Sequence, residues 1–230
     1  MRIMAFDYQG ARKLSDTVLP LCAGNPGRTP RALALLSAGR AELGLGNHHE
    51  AIRCFSEVER MTNEPFYMYW WWRMQAQLGL ARTWLALENI TNARMTAERF
   101  LECALSTADP NVQALAWELK TRIAIAEKDW MVAGQSIRAA LAILEEHPVP
   151  ISAWRVHDAA WEFYRLQKNG ESAERYRGLA EAEILALADS FPDDEPLRDI
   201  FLAAAEPVRR ILSHSSIRTN GVSLGRARIR

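Results

Sequence analysis

One small residue recurs along the chain at an almost fixed interval: Ala11, Ala51, Ala93, Ala133 and Ala173. The successive gaps are 40, 42, 40 and 40 residues. A period of roughly 20–50 residues marks an array in which each supersecondary unit buries its apolar face against its neighbours. A chain with this pattern builds a row of similar units and displays a repeated surface. The pattern points to a way of presenting a surface, and no motif in the chain points to a reaction.

Between the alanines each segment divides into two apolar stretches around a short polar break: GNHHE, ENITN, EKDW and QKNGES. Apolar residues recur at helical spacing on either side, as at Leu78 and Leu85, or Ile137, Leu141 and Leu144. No run alternates with period two, so strands are not expected. Proline follows the second stretch of every unit, at Pro26 or Pro30, Pro65, Pro110, Pro148 and Pro192. There it ends a helix by removing a backbone donor and clashing with the preceding turn. Asp109 before Pro110 reads as a helix start with proline in the first turn. The recurring alanine has a packing reason, since antiparallel helices must approach to about 8–10 Å and a small side chain at the crossing permits it.

The expected fold is all-α. Antiparallel helix pairs of about 40 residues should turn near 46–49, 88–91, 127–130 and 167–171. The units fall near 30–62, 65–107, 110–147 and 150–190, after a partial first repeat over 1–24 and before capping helices over 194–213. Residues 1–213 then form one helical-repeat domain, and 214–230 a disordered basic tail ending in Arg226, Arg228 and Arg230. In the cap, Leu197, Phe201, Val208 and Leu212 make an apolar stripe over the last repeat, and Pro207 should kink or split the helix.

Lys plus Arg and Asp plus Glu both number 28 in the 230 residues, so the helical body carries no electrostatic case for nucleic acid. Cys22, Cys54 and Cys103 are scattered, which fits a reducing compartment and argues against a disulfide framework or zinc site. The stretch MRIMAFDYQG lacks the apolar segment of a signal peptide, and no run is long enough to span a membrane. A cytoplasmic protein without a membrane partner is the expectation.

The segment LSAGRAELGLGNHHEAIRCF carries small Ala38 and Gly39 on its first helix, Gly46 in the turn, and Ala51 and Phe55 on its second. LGLARTWLALENITNAR repeats this with Leu80, Ala81, Trp84 and Ala93. Over roughly residues 1–190 the chain resembles the tetratricopeptide repeat. It departs from that motif in a period near 40 against about 34. It departs also in Trp161, which takes the slot of Gly39, Ala81 and Thr121, so the fourth unit should pack differently or less tightly. The long repeats and the closing EPLRDIFLAAAEPVRRIL resemble the C-terminal arrays of large bacterial signalling proteins that follow an ATPase, cyclase, kinase or regulator domain. The resemblance implies a right-handed α-solenoid whose first helices line a concave groove.

Ala11 falls in the second helix of a unit, and residues 1–6 can supply only the last turn of its first helix. The expectation is a fragment of a longer reading frame or, second, a protomer contact at this end. In either case residues 1–24 should fray first.

Eleven or so residues before each later alanine stands a charged residue: Arg40, Arg82, Arg122 and Glu162. In the register that the resemblance implies, three guanidinium groups stack along the groove, with Trp72, Glu118, Arg155, Asp158 and Glu162 among its residues. Arginine forks pair bidentately with carboxylate or phosphate, so an acidic segment of a protein or peptide partner would suit the row. The alternative is pairing within helices or a solvated face: Glu118 and Arg122 are four apart, Arg155 and Asp158 three apart. Arg82 has Leu78 and Ala86 four residues away and no carboxylate there, which marks it as the arginine freest for a ligand.

In the run Tyr67 to Trp72, three consecutive tryptophans cannot share one helix face, so at least one should be exposed. They read either as a binding hot spot or as packing between repeats. His48 and His49 lack the spacing and partners of metal ligands. The acidic run Asp193, Asp194, Glu195 reads as a helix start. HExxH, GxSxG, GxGxxG and GxxxxGK[ST] do not occur, and neither a catalytic residue nor a cofactor is expected. The function expected is a protein–protein interaction module or scaffold in a signalling or regulatory system. The alternative is a ligand-sensing array coupled to a separate ATPase, cyclase or transcription-regulator domain, which a deep pocket at Trp72–Arg82 would favour.

Overall fold

The structure, a computed structural model, describes residues 2–23, 27–192 and 195–214. Among them are ten helices and no strand: α1 (Tyr8–Ala23), α2 (Arg28–Gly44), α3 (His48–Met61), α4 (Tyr69–Ala86), α5 (Ile90–Leu105), α6 (Pro110–Glu127), α7 (Trp130–Glu146), α8 (Pro150–Leu166), α9 (Gly170–Asp189) and α10 (Pro196–His214). The breaks lie within a residue or two of the expected turns. One helix rather than two spans the cap and passes position 207 unbroken. The tail from residue 215, Asp193, Asp194, Pro26 and the side chains of Val208 and Leu212 lie outside what is described.

The turn between the two helices of each unit is built the same way five times. Phe6, Gly46, Glu88, Lys128 and Lys168 all have positive φ, between 58° and 80°. An Asx residue follows each: Asp7, Asn47, Asn89, Asp129 and Asn169. Its backbone N–H donates back five residues, as from Asn47 to the Glu42 carbonyl (2.8 Å) and from Asp129 to the Ala124 carbonyl (2.9 Å). This closure satisfies carbonyls that a helix end leaves open. The Asx side chain then caps the next helix: Asp7, Asn89, Asp129 and Asn169 accept from the N–H three residues on. Asn47 differs and donates from Nδ2 to Glu42 Oε2 at 2.7 Å. Each recurring alanine sits four residues after its Asx, donates to that residue's carbonyl and is buried. The period of the alanines is thus the period of a complete capped turn. Residues 2–7 carry the same turn, with Asp7 N–H on the Arg2 carbonyl at 3.0 Å.

Each helix packs chiefly on its neighbours in the chain, and the first helices also touch in series, α2 on α4, α4 on α6 and α6 on α8. The core is correspondingly a string of apolar clusters, one per junction. Around Phe55 the approach is so close that a Cβ at Gly39 or Gly79 would come within 2.7 or 2.4 Å of its ring. The α8–α9 pairing is the most extensive of all, so Trp161 does not loosen the fourth unit. Its indole is half-buried with the Arg165 guanidinium 5.4 Å from the ring centroid.

The first residues are covered rather than left open. Ala5 and Phe6 are buried in the last cluster, among residues of α8, α9 and α10. Phe6 stacks on Phe201 (5.4 Å between centroids) and meets Trp154 edge-on (5.9 Å). The beginning of the described chain therefore seals against its far end. The outer face of α1 stays open, with Leu14, Val18 and Leu21 exposed where the counterparts Cys54 and Val58 are buried.

Candidate functional site

The charged residues of the first helices converge, but into a network rather than a uniform row. Arg122 on α6 is buried and saturated. Its Nε donates to Glu118, its Nη1 to Glu162 at 3.2 Å, and its Nη2 to Asp158 at 3.0 Å and to the Arg155 carbonyl at 3.3 Å. Burial disfavours the charged guanidinium, yet the three carboxylates outweigh it and hold the proton more tightly than usual. Arg122 is therefore structural, which corrects its place in a ligand-binding row. Glu118, Asp158 and Glu162 are its partners and buried with it. The i,i+4 pairing of Glu118 with Arg122 is formed. The pairing of Arg155 with Asp158 is not, because Asp158 turns to Arg122.

Arg82 on α4 also has a carboxylate, supplied from the next unit: Glu118 Oε2 lies 3.1 Å from Nη2. A search four residues up and down one helix could not find it. The Arg82 side chain stays one-fifth exposed. Trp72 is 7% exposed, belongs to the core, and donates its indole N–H to the Tyr67 carbonyl at 2.9 Å. It is not available to a partner. Trp71 is half-buried edge-on to it, and Trp70, at 49%, is the exposed member of the run.

Two arginines remain. Arg40 on α2 is half-buried and donates to the Gln75 side-chain oxygen. Arg155 on α8 is half-buried with its guanidinium over the Trp154 ring at 4.1 Å. Neither has a carboxylate within ion-pair distance among the described residues. Burial, and after it the positive field of Arg82, lowers both, Arg40 to about 10 and Arg155 to about 9. A guanidinium keeps its proton at neutral pH, so each of these charges is held at a cost, half-buried and beside another positive group. Tyr8, whose ring packs against Gly44, lies in the same field: burial raises its phenol, and Arg155 and Arg82 pull it back. Tyr8 and Gln75 are site residues that no spacing rule could reveal. A second network, Arg12 with Glu42 (2.8 Å) and Asn47 with Glu42, ties α1 to the first turn.

Two clefts between consecutive units have a lining that includes neither Trp72 nor Arg82, although Arg73 and Gln77 of the same helix line one of them. One, of about 440 Å³, is polar and is lined by Arg60, Arg73, Gln77 and Arg99 among others. The other, of about 240 Å³, lies between α7, α8 and α9 and contains His157. Gln77 and His157 occupy the same place in their units. Gln77 Oε1 and His157 Nδ1 are both buried without a hydrogen-bond partner.

His48 and His49 begin α3, and no helix of the described residues is long and apolar enough to cross a membrane. The fold puts the chain in the all-α class with a helical repeat. No family model matches the chain, and no curated protein matches it.

Proposed function

We propose that the chain is a non-catalytic interaction module, a right-handed α-solenoid resembling tetratricopeptide arrays, that receives an acidic segment of a partner protein along its first helices. The observation that carries this reading is the pair of half-buried arginines without a carboxylate, Arg40 and Arg155, flanking the partly exposed Arg82. Burying a charge without a counter-ion is costly, and an incoming carboxylate relieves that cost while gaining charge-assisted hydrogen bonds. Trp154 behind Arg155 keeps its guanidinium plane fixed for such a partner. The long period and the terminal helix, similar to those of bacterial signalling arrays, support a role as scaffold in a signalling or regulatory assembly.

The test is selection from a random displayed peptide library on the full chain. Acidic peptides should be enriched, and the enrichment should vanish on Arg155→Glu combined with Arg40→Glu while the circular dichroism stays helical. Affinity of a selected peptide should fall with salt, and a desolvated contact should account for about 2–5 kcal/mol. Enrichment without acidic bias, or retained by the double variant, would overturn the reading.

A further inference from the structure

We propose that the cleft between α7, α8 and α9 binds a small zwitterion with an apolar side chain, of the kind of a free hydrophobic amino acid. This site is separate from the arginine face and does not depend on it. Its interior is apolar: Leu141 and Leu144 of α7, Val149 of the connection and Leu179 of α9 line a space of about 240 Å³. That is room for a ligand the size of one large amino acid and too little for a cofactor. Tyr176 forms one wall, held by stacking on Tyr164 at 5.4 Å.

His157 lines this cleft, 9% exposed, and its Nδ1 is buried just behind the surface without a hydrogen-bond partner. A buried ring nitrogen left unpaired costs free energy that a ligand amino group would recover by donating to it. Burial, and then Arg175, lowers the imidazole, so at neutral pH it presents a neutral ring. Charges of both signs also border the cleft. Arg175 lies over Tyr176 at 5.7 Å, and Glu145 and Glu183 complete the rim. None of the three has an ion-pair partner among the described residues. A simple anion would meet two carboxylates and a simple cation would meet Arg175. A molecule carrying both charges on one carbon meets each with its opposite, and its side chain falls on the leucines.

The repeat supplies a comparison within the molecule. The place of His157 is Trp117 one unit earlier, an indole packed against the cores on either side. Two units earlier it is Gln77, in a cleft bordered by arginines instead of leucines. Only the last of these junctions joins an unpaired buried nitrogen to an apolar lining.

The experiment titrates the full chain, labelled with 15N-histidine, with L-phenylalanine and L-leucine. 3-Phenylpropanoate, which lacks the amine, and phenethylamine, which lacks the carboxylate, serve as the matched probes. Saturable binding below about 10 mM is expected for at least one amino acid, with a shift of the His157 ring resonances assigned through His157→Gln. Either matched probe should bind at least about tenfold more weakly than L-phenylalanine, and Arg175→Gln should cost about tenfold for the amino acid that binds. Arg175 is exposed, so that variant should melt at the parent temperature. If neither amino acid moves the His157 resonances at about 10 mM, or a matched probe binds as well as L-phenylalanine, the proposal fails. Neither result bears on the acidic-peptide reading, which is read by a different ligand and different variants.

Discussion

Arg40 and Arg122 hold the same place in units two apart, yet their surroundings are opposite. Arg122 shares three carboxylates, and Arg40 reaches only the neutral oxygen of Gln75. One of those carboxylates, Glu118, lies on the same helix, where Arg40 has Leu36, and the other two come from the following unit. Arg82 meets Glu118, and Arg122 meets Asp158, from one repeat position. In the unit after Arg40 that position is Leu78, buried in the core. A repeat therefore fixes where an arginine stands, while the residues around it on its own helix and on the next decide how many carboxylates it meets.

The sharpest break in the comparison is the pair of variants Arg122→Met and Arg40→Met. The first removes the guanidinium that three buried carboxylates share and should cost about 3–5 kcal/mol in chemical denaturation. The second should stay within about 1 kcal/mol, since an apolar group replaces a charge without a carboxylate. Equal losses would erase the distinction.

Acid titration sharpens it next. Burial pushes the Glu118 carboxyl up, but Arg122 and Arg82 outweigh burial and hold it below 4.5. A depressed folded value means stability present above 4.5 and lost as pH falls below it. In Arg122→Met the largest opposing charge is gone and Arg82 remains, so the folded value moves up toward or past the unfolded one, and the stability lost as pH falls through this window should shrink or change sign. Thermal melts from pH 3 to 7, read as differences between the two proteins, check the sign. A variant profile parallel to the parent would mean that Arg122 is not what holds Glu118 ionised.

The smallest effect expected is that of Gln75→Glu. It gives Arg40 an isosteric carboxylate and should add about 0.5–1 kcal/mol, because a charge-assisted bond replaces a neutral one. The same change should weaken a selected acidic peptide. Unchanged stability together with unchanged peptide affinity would show that Arg40 already has its counter-charge.

The architecture was legible because it is written in a local period. The five alanines and the polar breaks located the helices to within about two residues, which is the spread of helix ends in general. The Asx residues at 7, 47, 89, 129 and 169 carry the same interval and were open to view, each four residues before its alanine. Why they recur needed the backbone, where a residue with positive φ precedes each cap. The site was less legible. Intrahelical spacing found Glu118 with Arg122 and missed Glu118 with Arg82, because a contact between units runs about one period ahead along the chain. Trp72 read either as a groove residue or as packing between repeats, and its position in the helix bundle shows a core residue with its N–H already bonded.

The stack of Phe6 on Phe201 alters how such an array should come apart. Helical repeats joined only to their neighbours unravel one by one from an open end. Here two rings separated by nearly the whole chain tie the ends together, and α8 lies beneath both. Loss of either end strips cover from the other, so the outermost helices should melt as a couple. This contact also joins the most distant parts of the chain, and forming it is the step most slowed by loop closure. Folding would then proceed from the middle units outward and finish by fastening its own two ends, as a clasp is closed last.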